Sequence, residues 1–261
     1  MASIRRKGRD PNLMVRSKLV LYGITVIVSL LFFVIFYTPA SLVYKLFQDD
    51  IARLPDTSIF QITGSIWNGS ADIQYRNFPS SKINWILAPK SLPNGYAEFT
   101  LRASGVNHDL EGRFVTNGNQ GEFLGLRGII DSKYINQVGK YHGIFLSGAL
   151  DFRDINLSID DGWFSSVSGK IDWTGGKVMF QTEDGGQTVN LPALNGVVSL
   201  KEKKLALHVY NGDQLGFLIY LQRDGWVFLQ FKSRFLSLAG FPGGEYFDPD
   251  SVIFTIEEKI L

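Results

Sequence analysis

The sequence predicts a mainly β protein, in which a single N-terminal transmembrane helix precedes an antiparallel, meander-like β domain built as a bent sheet or as two packed layers. Three observations predict this: an uncharged apolar run near the N-terminus, recurring Asx-Gly dipeptides, and apolar-polar alternation between those dipeptides. The 27 Gly, 20 Phe and 10 Tyr residues also favour strands and tight turns. A chain of 261 residues is long enough for one large or two small domains.

The membrane helix is predicted from Leu19 to Tyr37, a run of 19 residues without a charge. A helix of that length spans about 29 Å, close to the thickness of the hydrocarbon core of a bilayer. A cleaved signal peptide and a buried soluble helix are the alternatives. A signal peptide has a shorter apolar region that ends in small residues, whereas Thr38-Pro39-Ala40 places a proline inside the cleavage site. We therefore expect an uncleaved anchor.

Charge on either side of this run predicts its orientation. Only Lys45 follows it closely, whereas six basic residues precede it: Arg5, Arg6, Lys7, Arg9, Arg16 and Lys18. Positive charge stays on the cytoplasmic side. Residues 1–18 are thus predicted to be a cytoplasmic basic tail, 19–37 the transmembrane helix, and the remainder the translocated part. In a bacterium this describes a single-pass inner-membrane protein with its bulk in the periplasm.

A juxtamembrane helix is predicted over residues 38–55, with Thr38 as N-cap, Pro39 in the first helical position and Pro55 at the end. Apolar residues recur there at helical spacing: Leu42, Val43, Leu46, Phe47, Ile51 and Leu54. Such a helix packs on the β domain or lies in the headgroup layer. The alternative is that it binds a partner.

Residues 56–261 are predicted to be a periplasmic β-rich domain, with no helix after Asp56. Asx-Gly dipeptides supply the positive φ angles that two-residue hairpin turns require. Eight of them separate the apolar runs: Asn68-Gly69, Asn94-Gly95, Asn117-Gly118, Asp161-Gly162, Asp184-Gly185, Asn195-Gly196, Asn211-Gly212 and Asp224-Gly225.

The runs between these dipeptides have the period of strands. Apolar residues alternate with polar ones over 97–103, 205–210 and 252–256, which places one sheet face on a core. Phe217–Leu221 and Trp226–Phe231 are apolar on both faces. They are predicted either to be covered on both sides or to meet lipid or another protein.

No constellation of catalytic or metal-binding residues is found in the sequence. Cysteine is absent, so disulfides, Cys-based zinc sites and cysteine nucleophiles are excluded. His108, His142 and His208 are not paired at metal-ligand spacing. His208 alternates within a predicted strand and is expected to face outward.

Carboxylates also fail to pair for acid-base chemistry, because neighbouring strand residues point to opposite faces. The adjacent pairs are Asp49-Asp50, Asp160-Asp161, Glu183-Asp184 and Glu257-Glu258. Nucleophile-elbow, phosphate-loop and dinucleotide motifs are missing. A balance of 26 basic and 25 acidic residues gives no chain-wide attraction to nucleic acid. We expect no enzyme activity, no catalytic residue, no cofactor and no metal.

Three segments carry a resemblance to a known family. Gly64–Ala71 fits the pattern G-x-hydrophobic-W-x-G-x-A, Trp85–Gly95 fits W-x-L-x-P-x-x-L-x-x-G, and Gly169–Gly176 fits G-x-hydrophobic-x-W-x-G-G. In this order they resemble the type II secretion system protein N family. The match is loose over Phe217–Leu236 and does not extend to Gly240–Tyr246.

This resemblance implies a non-catalytic accessory component of the inner membrane, belonging to the machinery that exports folded proteins across the outer membrane. Its implied partners are other secretion-system subunits in the inner membrane and periplasm, together with membrane lipid, and no nucleic acid. The architecture is also similar to that of membrane-anchored periplasmic proteins that bind or transfer lipid in an apolar β groove. That similarity gives an alternative function.

Five residues within the matched segments are structural or partner-binding candidates. Trp67, Trp85 and Trp173 stand at predicted junctions of strands and turns, and Gly64 and Gly169 begin two of the segments. A Trp ring at such a junction can seal the end of a β layer while its N–H finds a backbone acceptor. The alternative is that the three rings are hot spots for a partner.

Overall fold

The computed structural model describes residues 11–46, 48, 56–76, 78–139, 143–182, 185–241 and 246–259, and these form a mainly β protein. The strands are β1 Thr57–Gly64, β2 Asn68–Tyr75, β3 Ser81–Leu87, β4 Ala97–Gly105, β5 His108–Thr116, β6 Gly121–Asp131, β7 Ile144–Leu146, β8 Ala149–Asp160, β9 Trp163–Trp173, β10 Gly176–Thr182, β11 Gly185–Leu191, β12 Leu194–Lys201, β13 Lys204–Asn211, β14 Gln214–Leu221, β15 Trp226–Lys232 and β16 Val252–Lys259. The helices are α1 Pro11–Tyr37, α2 Ala40–Leu46, α3 Ser132–Gly139 and α4 Ser233–Leu238, with a 3-10 turn at Pro89–Asn94.

Helix α1 contains the whole uncharged run. Its apolar side chains are largely exposed where they are described, by between 43% at Phe36 and 73% at Tyr37. Among the residues that the structure describes, no helix reaches the length and apolarity needed to cross a bilayer. The membrane span therefore stays a prediction.

Helix α2 begins later than its predicted cap. The Thr38 hydroxyl donates to the carbonyl oxygen of Val34 at the end of α1, and the first backbone bond of α2 runs from Leu42 N–H to the Pro39 carbonyl at 3.1 Å. Thr38 as N-cap was thus wrong, because its hydroxyl serves the preceding helix. The rest of the predicted juxtamembrane helix, Phe47–Pro55, lies outside the described residues apart from Gln48.

Thirteen of the described strands form one antiparallel sheet in the order β1-β2-β3-β4-β5-β6-β8-β9-β12-β13-β14-β15-β16. Most neighbours in this sheet are joined by short connections along the chain, as in a meander. The prediction of a mainly β protein with a large antiparallel sheet is confirmed.

The strands missing from this order form a second, smaller sheet in the order β11-β10-β7. In β10, Val178 lies opposite Val189 of β11 and Leu146 of β7. The small sheet and α4 both pack against the part of the large sheet that runs from β9 to β15. Buried residues from both sheets and the helix form the hydrophobic core between them: Trp173, Val178, Leu191, Leu194, Val209, Phe235 and Ala239.

Not all Asx-Gly dipeptides make hairpin turns. Four stand at hairpins: Asn117-Gly118, Asp161-Gly162, Asn211-Gly212 and Asp224-Gly225. Asn94-Gly95 ends the 3-10 turn, and Asp184 lies outside the described residues. Asn68-Gly69 and Asn195-Gly196 lie within β2 and β12, so the prediction of a hairpin turn at these two dipeptides was wrong.

The expectation of no helix after Asp56 was also wrong. Helices α3 and α4 have 8 and 6 residues, too few for apolar periodicity to reveal them. Helix α4 follows directly from β15 and packs on β14 and β15, where its Phe235 joins the core. Both short helices form where the chain leaves the large sheet.

Candidate binding surface

One face of the large sheet, called the apolar face below, carries a continuous row of apolar or small residues. Registers between successive strands place these residues opposite one another from β2 to β16. The row is Ala71, Ile83, Ala103, Leu110, Gly128, Phe152, Ile171, Gly196, Val209, Phe217, Phe231 and Phe254. Because side chains two residues apart on a strand share a face, the apolar alternation of each strand becomes one surface across the sheet.

Parallel rows widen this face on the same side. Trp85 lies opposite Leu101 on β3 and β4. Further along the sheet a second row connects Val198, Leu207, Ile219, Leu229 and Ile256. The face is therefore at least two residues deep along the strands.

Only part of the apolar face is covered. The buried core cluster, which lies under the small sheet and α4, takes residues from β9, β12 and β13 but none from β3 to β6. On those strands Ile83, Leu101, Leu110 and Phe114 are each only partly buried. Strands β3 to β5 of the large sheet thus present partly exposed apolar side chains on one face.

Over β4 to β9 the opposite face carries charged side chains that form ion pairs. Arg102 donates from Nε and Nη2 to the two carboxylate oxygens of Asp109, at 2.8 and 2.6 Å. The hydrogen bond from Arg102 lowers the pKa of Asp109 below its ordinary value, and the same bond raises the pKa of the guanidinium. Similar pairs join Arg127 to Glu111, Arg113 to Glu98, and Arg153 to Asp151 and Asp172. All but the Arg153–Asp151 pair, which lies within β8, join neighbouring strands, so these groups stabilise the sheet.

Trp67, Trp85 and Gly64 meet at the corner where β1 turns into β2. The Trp85 ring N–H donates to the Ser65 carbonyl oxygen at 3.2 Å, and Trp67 stacks on Phe36 of α1 with ring centroids 5.3 Å apart. Gly64 has φ +81°, and a Cβ there would lie 2.5 Å from the carbonyl oxygen of Asn68. This corner therefore connects the end of α1 with the apolar face.

Trp173 and Gly169 lie elsewhere in the fold. The Trp173 ring N–H donates to the Ser147 carbonyl oxygen at 2.9 Å, within the core between the two sheets. Gly169 has φ +135° beside a register shift of β8 and β9, where a Cβ would lie 2.6 Å from the Cα of Ile155. The five candidates thus divide between three places and do not form one site.

A buried histidine at the margin of the apolar face was missed from sequence. His108 is 8% exposed, its ring lies 4.5 Å from that of Tyr134 on α3, and neither of its ring nitrogens has a hydrogen-bond partner among the described residues. Burial lowers its pKa below the ordinary value, and the charge of Asp109 opposes this more weakly. Its alternation with Leu110 and Phe114 on β5 was the signal that could have placed it on the apolar face.

The other titratable residues singled out from sequence do not assemble into a reactive centre within the described residues. His208 is partly buried, with Nδ1 3.5 Å from the Ser199 hydroxyl, and burial lowers its pKa. Glu257 and Glu258 are neighbours on β16 and point to opposite faces. His142, Asp49-Asp50 and Glu183-Asp184 lie outside the described residues. No cluster of potential metal ligands occurs among the residues that were described.

Comparison with known proteins gives one match. The family described as type II secretion system (T2SS), protein N matches residues 55–240, more than half of the chain. No curated protein and no solved structure matches. The matched range covers the large sheet from β1 to β15, the small sheet and α4.

Proposed function

Since the chain belongs to the type II secretion system protein N family, we propose that it is a non-catalytic accessory component of this secretion machinery, anchored in the inner membrane by α1 with its β domain in the periplasm. The family match over residues 55–240 is the observation that carries the proposal. It makes the chain a type II secretion component. We further propose the membrane anchor, the orientation of the chain in the membrane and the contacts with other subunits, each of which is argued below.

The anchor is supported by the sequence and exposure of α1. The helix continues without interruption through the uncharged stretch Leu19–Tyr37, whose length of about 29 Å matches a bilayer core. Its apolar side chains from Leu21 to Phe36, where described, are at least 43% exposed. Lipid would remove this apolar surface from water, and the basic residues before it would stay cytoplasmic.

Contacts with other subunits are proposed to use the β domain. The polar face of β4 to β9 holds exposed ion pairs, and the outer strand β16, against which no described helix packs, offers backbone groups for strand addition. Neither surface contains a reactive group, which agrees with a role in assembly.

Deletion of the gene tests the secretion role. We expect exported enzymes to accumulate in the periplasm and to return to the medium when the full-length chain is supplied. Unaltered export in the deletion strain, with no secretion subunit crosslinked to the β domain, would refute the role. Fusing a reporter that is active only in the periplasm after Leu261 tests the topology, with a fusion after Lys18 as the matched cytoplasmic control.

A second candidate function, lipid binding, is favoured by the partly exposed apolar side chains of β3 to β6. These residues form a wide ordered surface that acyl chains could cover, and it meets α1 at the Phe36–Trp67 stack. Mass spectrometry of lipid extracted from the purified protein tests this. We expect about one phospholipid per chain, and its absence would exclude the function.

Adjacent residues on β4 supply a matched pair of variants for that measurement. Leu101→Glu places a charge on the apolar face and should remove the lipid, whereas Thr100→Glu places it on the opposite, exposed side and should not. Equal loss of lipid in both variants would mean that the lipid does not lie on the apolar face.

A further inference from the structure

The end of α1 lies against one corner of the β domain. Phe36 stacks on Trp67, and Pro39 forms an isolated bridge with Ser65, after which α2 packs on β1. The connection from β3 to β4 reaches the same corner, because the Leu87 N–H donates to the Trp67 carbonyl oxygen at 2.8 Å. Three segments therefore meet where α1 ends, and together they are called the exit corner below: residues 37–46, 64–69 and 85–96.

Large apolar side chains are exposed around the exit corner. Ile86 on β3 is 56% exposed, and Leu92 in the 3-10 turn is 41% exposed. The other exposed members of this group are Tyr37, Leu42, Leu46 and Tyr96. Single exposed apolar residues are common on protein surfaces, whereas a group of them around one point indicates a surface that another body covers.

The charge of the exit corner selects the kind of body. Its three segments contain two exposed lysines, Lys45 and Lys90, and no acidic residue. The other end of β1 and β2 differs, since Asp56 and Arg76 form an ion pair there at 2.8 Å. Lysine together with Trp and Tyr is the combination that anchors proteins at the boundary between a bilayer and water. The exit corner thus has the composition of a lipid-facing surface.

We propose that the exit corner lies on the acidic lipid headgroups of the same bilayer that holds α1. This inference rests on the proposed membrane anchor. Tyr37 ends both the uncharged run and α1, so it lies at the bilayer boundary, and the Phe36–Trp67 stack holds the exit corner at that level. The exposed apolar side chains enter the boundary between headgroups and acyl chains, and Lys45 and Lys90 face the lipid phosphates.

Cysteine labelling tests the contact, because the chain has no cysteine of its own. The full-length protein is placed in nanodiscs of phosphatidylethanolamine and phosphatidylglycerol, where both sides of the bilayer are accessible. A membrane-impermeant maleimide should react at least about tenfold more slowly with Ile86→Cys than with Ile129→Cys. Ile129 is the matched control, because it is 55% exposed and lies toward the end of β6 that is remote from the exit corner. Equal rates at the two positions would overturn the proposal.

Val28→Cys, in the middle of the uncharged run, distinguishes a failure of this contact from a failure of the anchor. It should not react with the maleimide in the nanodiscs, because the hydrocarbon core excludes the reagent. An unreactive Val28→Cys with equal rates for Ile86→Cys and Ile129→Cys would overturn the contact alone. A reactive Val28→Cys would overturn the anchor and the contact together.

The two lysines test the charge of the lipid. Replacing both Lys45 and Lys90 with Glu in the Ile86→Cys protein should raise the labelling rate at least about threefold, because acidic headgroups repel the new carboxylates. Lys82→Glu is the matched control, since Lys82 is an exposed lysine at the other end of β3, and it should leave the rate unchanged. An equal effect of the two changes would overturn acidic lipid as the partner of the exit corner.

Discussion

The indole N–H of Trp173 donates a hydrogen bond of 2.9 Å to the backbone carbonyl oxygen of Ser147. Trp173 ends β9 in the large sheet, and Ser147 directly follows β7 in the small sheet. The Ser147 backbone N–H in turn donates to the Lys177 carbonyl oxygen on β10 at 2.8 Å. One side chain thus joins the two sheets at the edge of the core that both contribute to.

Replacing Trp173 with Phe should lower the free energy of unfolding by about 1–3 kcal/mol. The ring is almost fully buried, and its loss leaves the partly buried Ser147 carbonyl without this donor. Urea denaturation of the full-length chain in detergent measures the change. Trp226→Phe is the control, since that ring is 37% exposed and should cost no more than about 0.5 kcal/mol. Equal costs would show that the Trp173 bond does not stabilise the sheet contact.

Replacing Gly69 with Ala should destabilise the corner between β1 and β2. A Cβ at Gly69 would lie 2.4 Å from Cζ2 of Trp85 and 2.6 Å from the Thr63 carbonyl oxygen, so the ring and backbone must move. Overpacking of this kind costs about 1–3 kcal/mol, measurable as a lower denaturation midpoint.

Gly186→Ala on β11 is the matched control for that change. Its nearest neighbour would be the Phe180 carbonyl oxygen at an ordinary 3.9 Å, so stability should be unchanged or slightly improved. An unchanged midpoint for Gly69→Ala would mean that the Trp85 ring has room to shift.

The course of the individual strands follows from sequence more directly than their assembly does. Alternation over residues 97–103, 205–210 and 252–256 corresponds to β4, β13 and β16. The separation of β7, β10 and β11 into a second sheet has no local signal, because nothing in their sequences specifies which strands they pair with. It depends on contacts such as Trp173 to Ser147, between residues 26 positions apart.

The positions of the turns could also be predicted only in part from the sequence. Glu202 and Lys203 connect β12 and β13 with φ +52° and +62° although neither is Gly, Asn or Asp. The pairing of Lys201 with Lys204 leaves two residues for the turn, and the type I′ turn that they form requires positive φ at both positions. Conversely, Gly196 serves close packing against Leu207 and lies within β12. Pairing between strands thus determines the backbone at Glu202-Lys203, and packing against Leu207 determines the residue type at Gly196.

Lowering the pH should destabilise the protein through His108. Burial holds the pKa of this ring below its ordinary value, so the unfolded chain binds a proton more readily than the folded one. The contribution of neutral His108 is therefore complete above about pH 6.5 and is lost as the pH falls through that value toward the lower pKa of the folded state. The groups that face the ring are Tyr134 and Gly105, and the neighbouring Asp109 is held by Arg102.

Thermal melting at pH 7.5 and 5.5 measures this effect. His108→Leu should show a smaller loss of melting temperature between the two values than the wild-type chain. His208, whose pKa is lowered as well, is present in both proteins and cancels in the comparison. The same pH dependence in both proteins would mean that His108 does not titrate in this range.

Replacing Trp67 with Ala should loosen the connection between α1 and the β domain without unfolding the domain. The ring stacks on Phe36 with an interplanar angle of 20°, and such aromatic pairs contribute about 0.5–1.5 kcal/mol beyond their buried area. Beside it, Pro39 pairs with Ser65 in an isolated bridge that holds the segment between α1 and α2 against the same corner. Protease cleavage between Tyr37 and Thr57 in membrane-embedded protein should therefore accelerate in Trp67→Ala, whereas Trp67→Phe, which keeps the stack, should be cleaved at the wild-type rate. If both variants are cleaved as slowly as the wild type, the junction is held by α2 and the Pro39 bridge instead of by the ring.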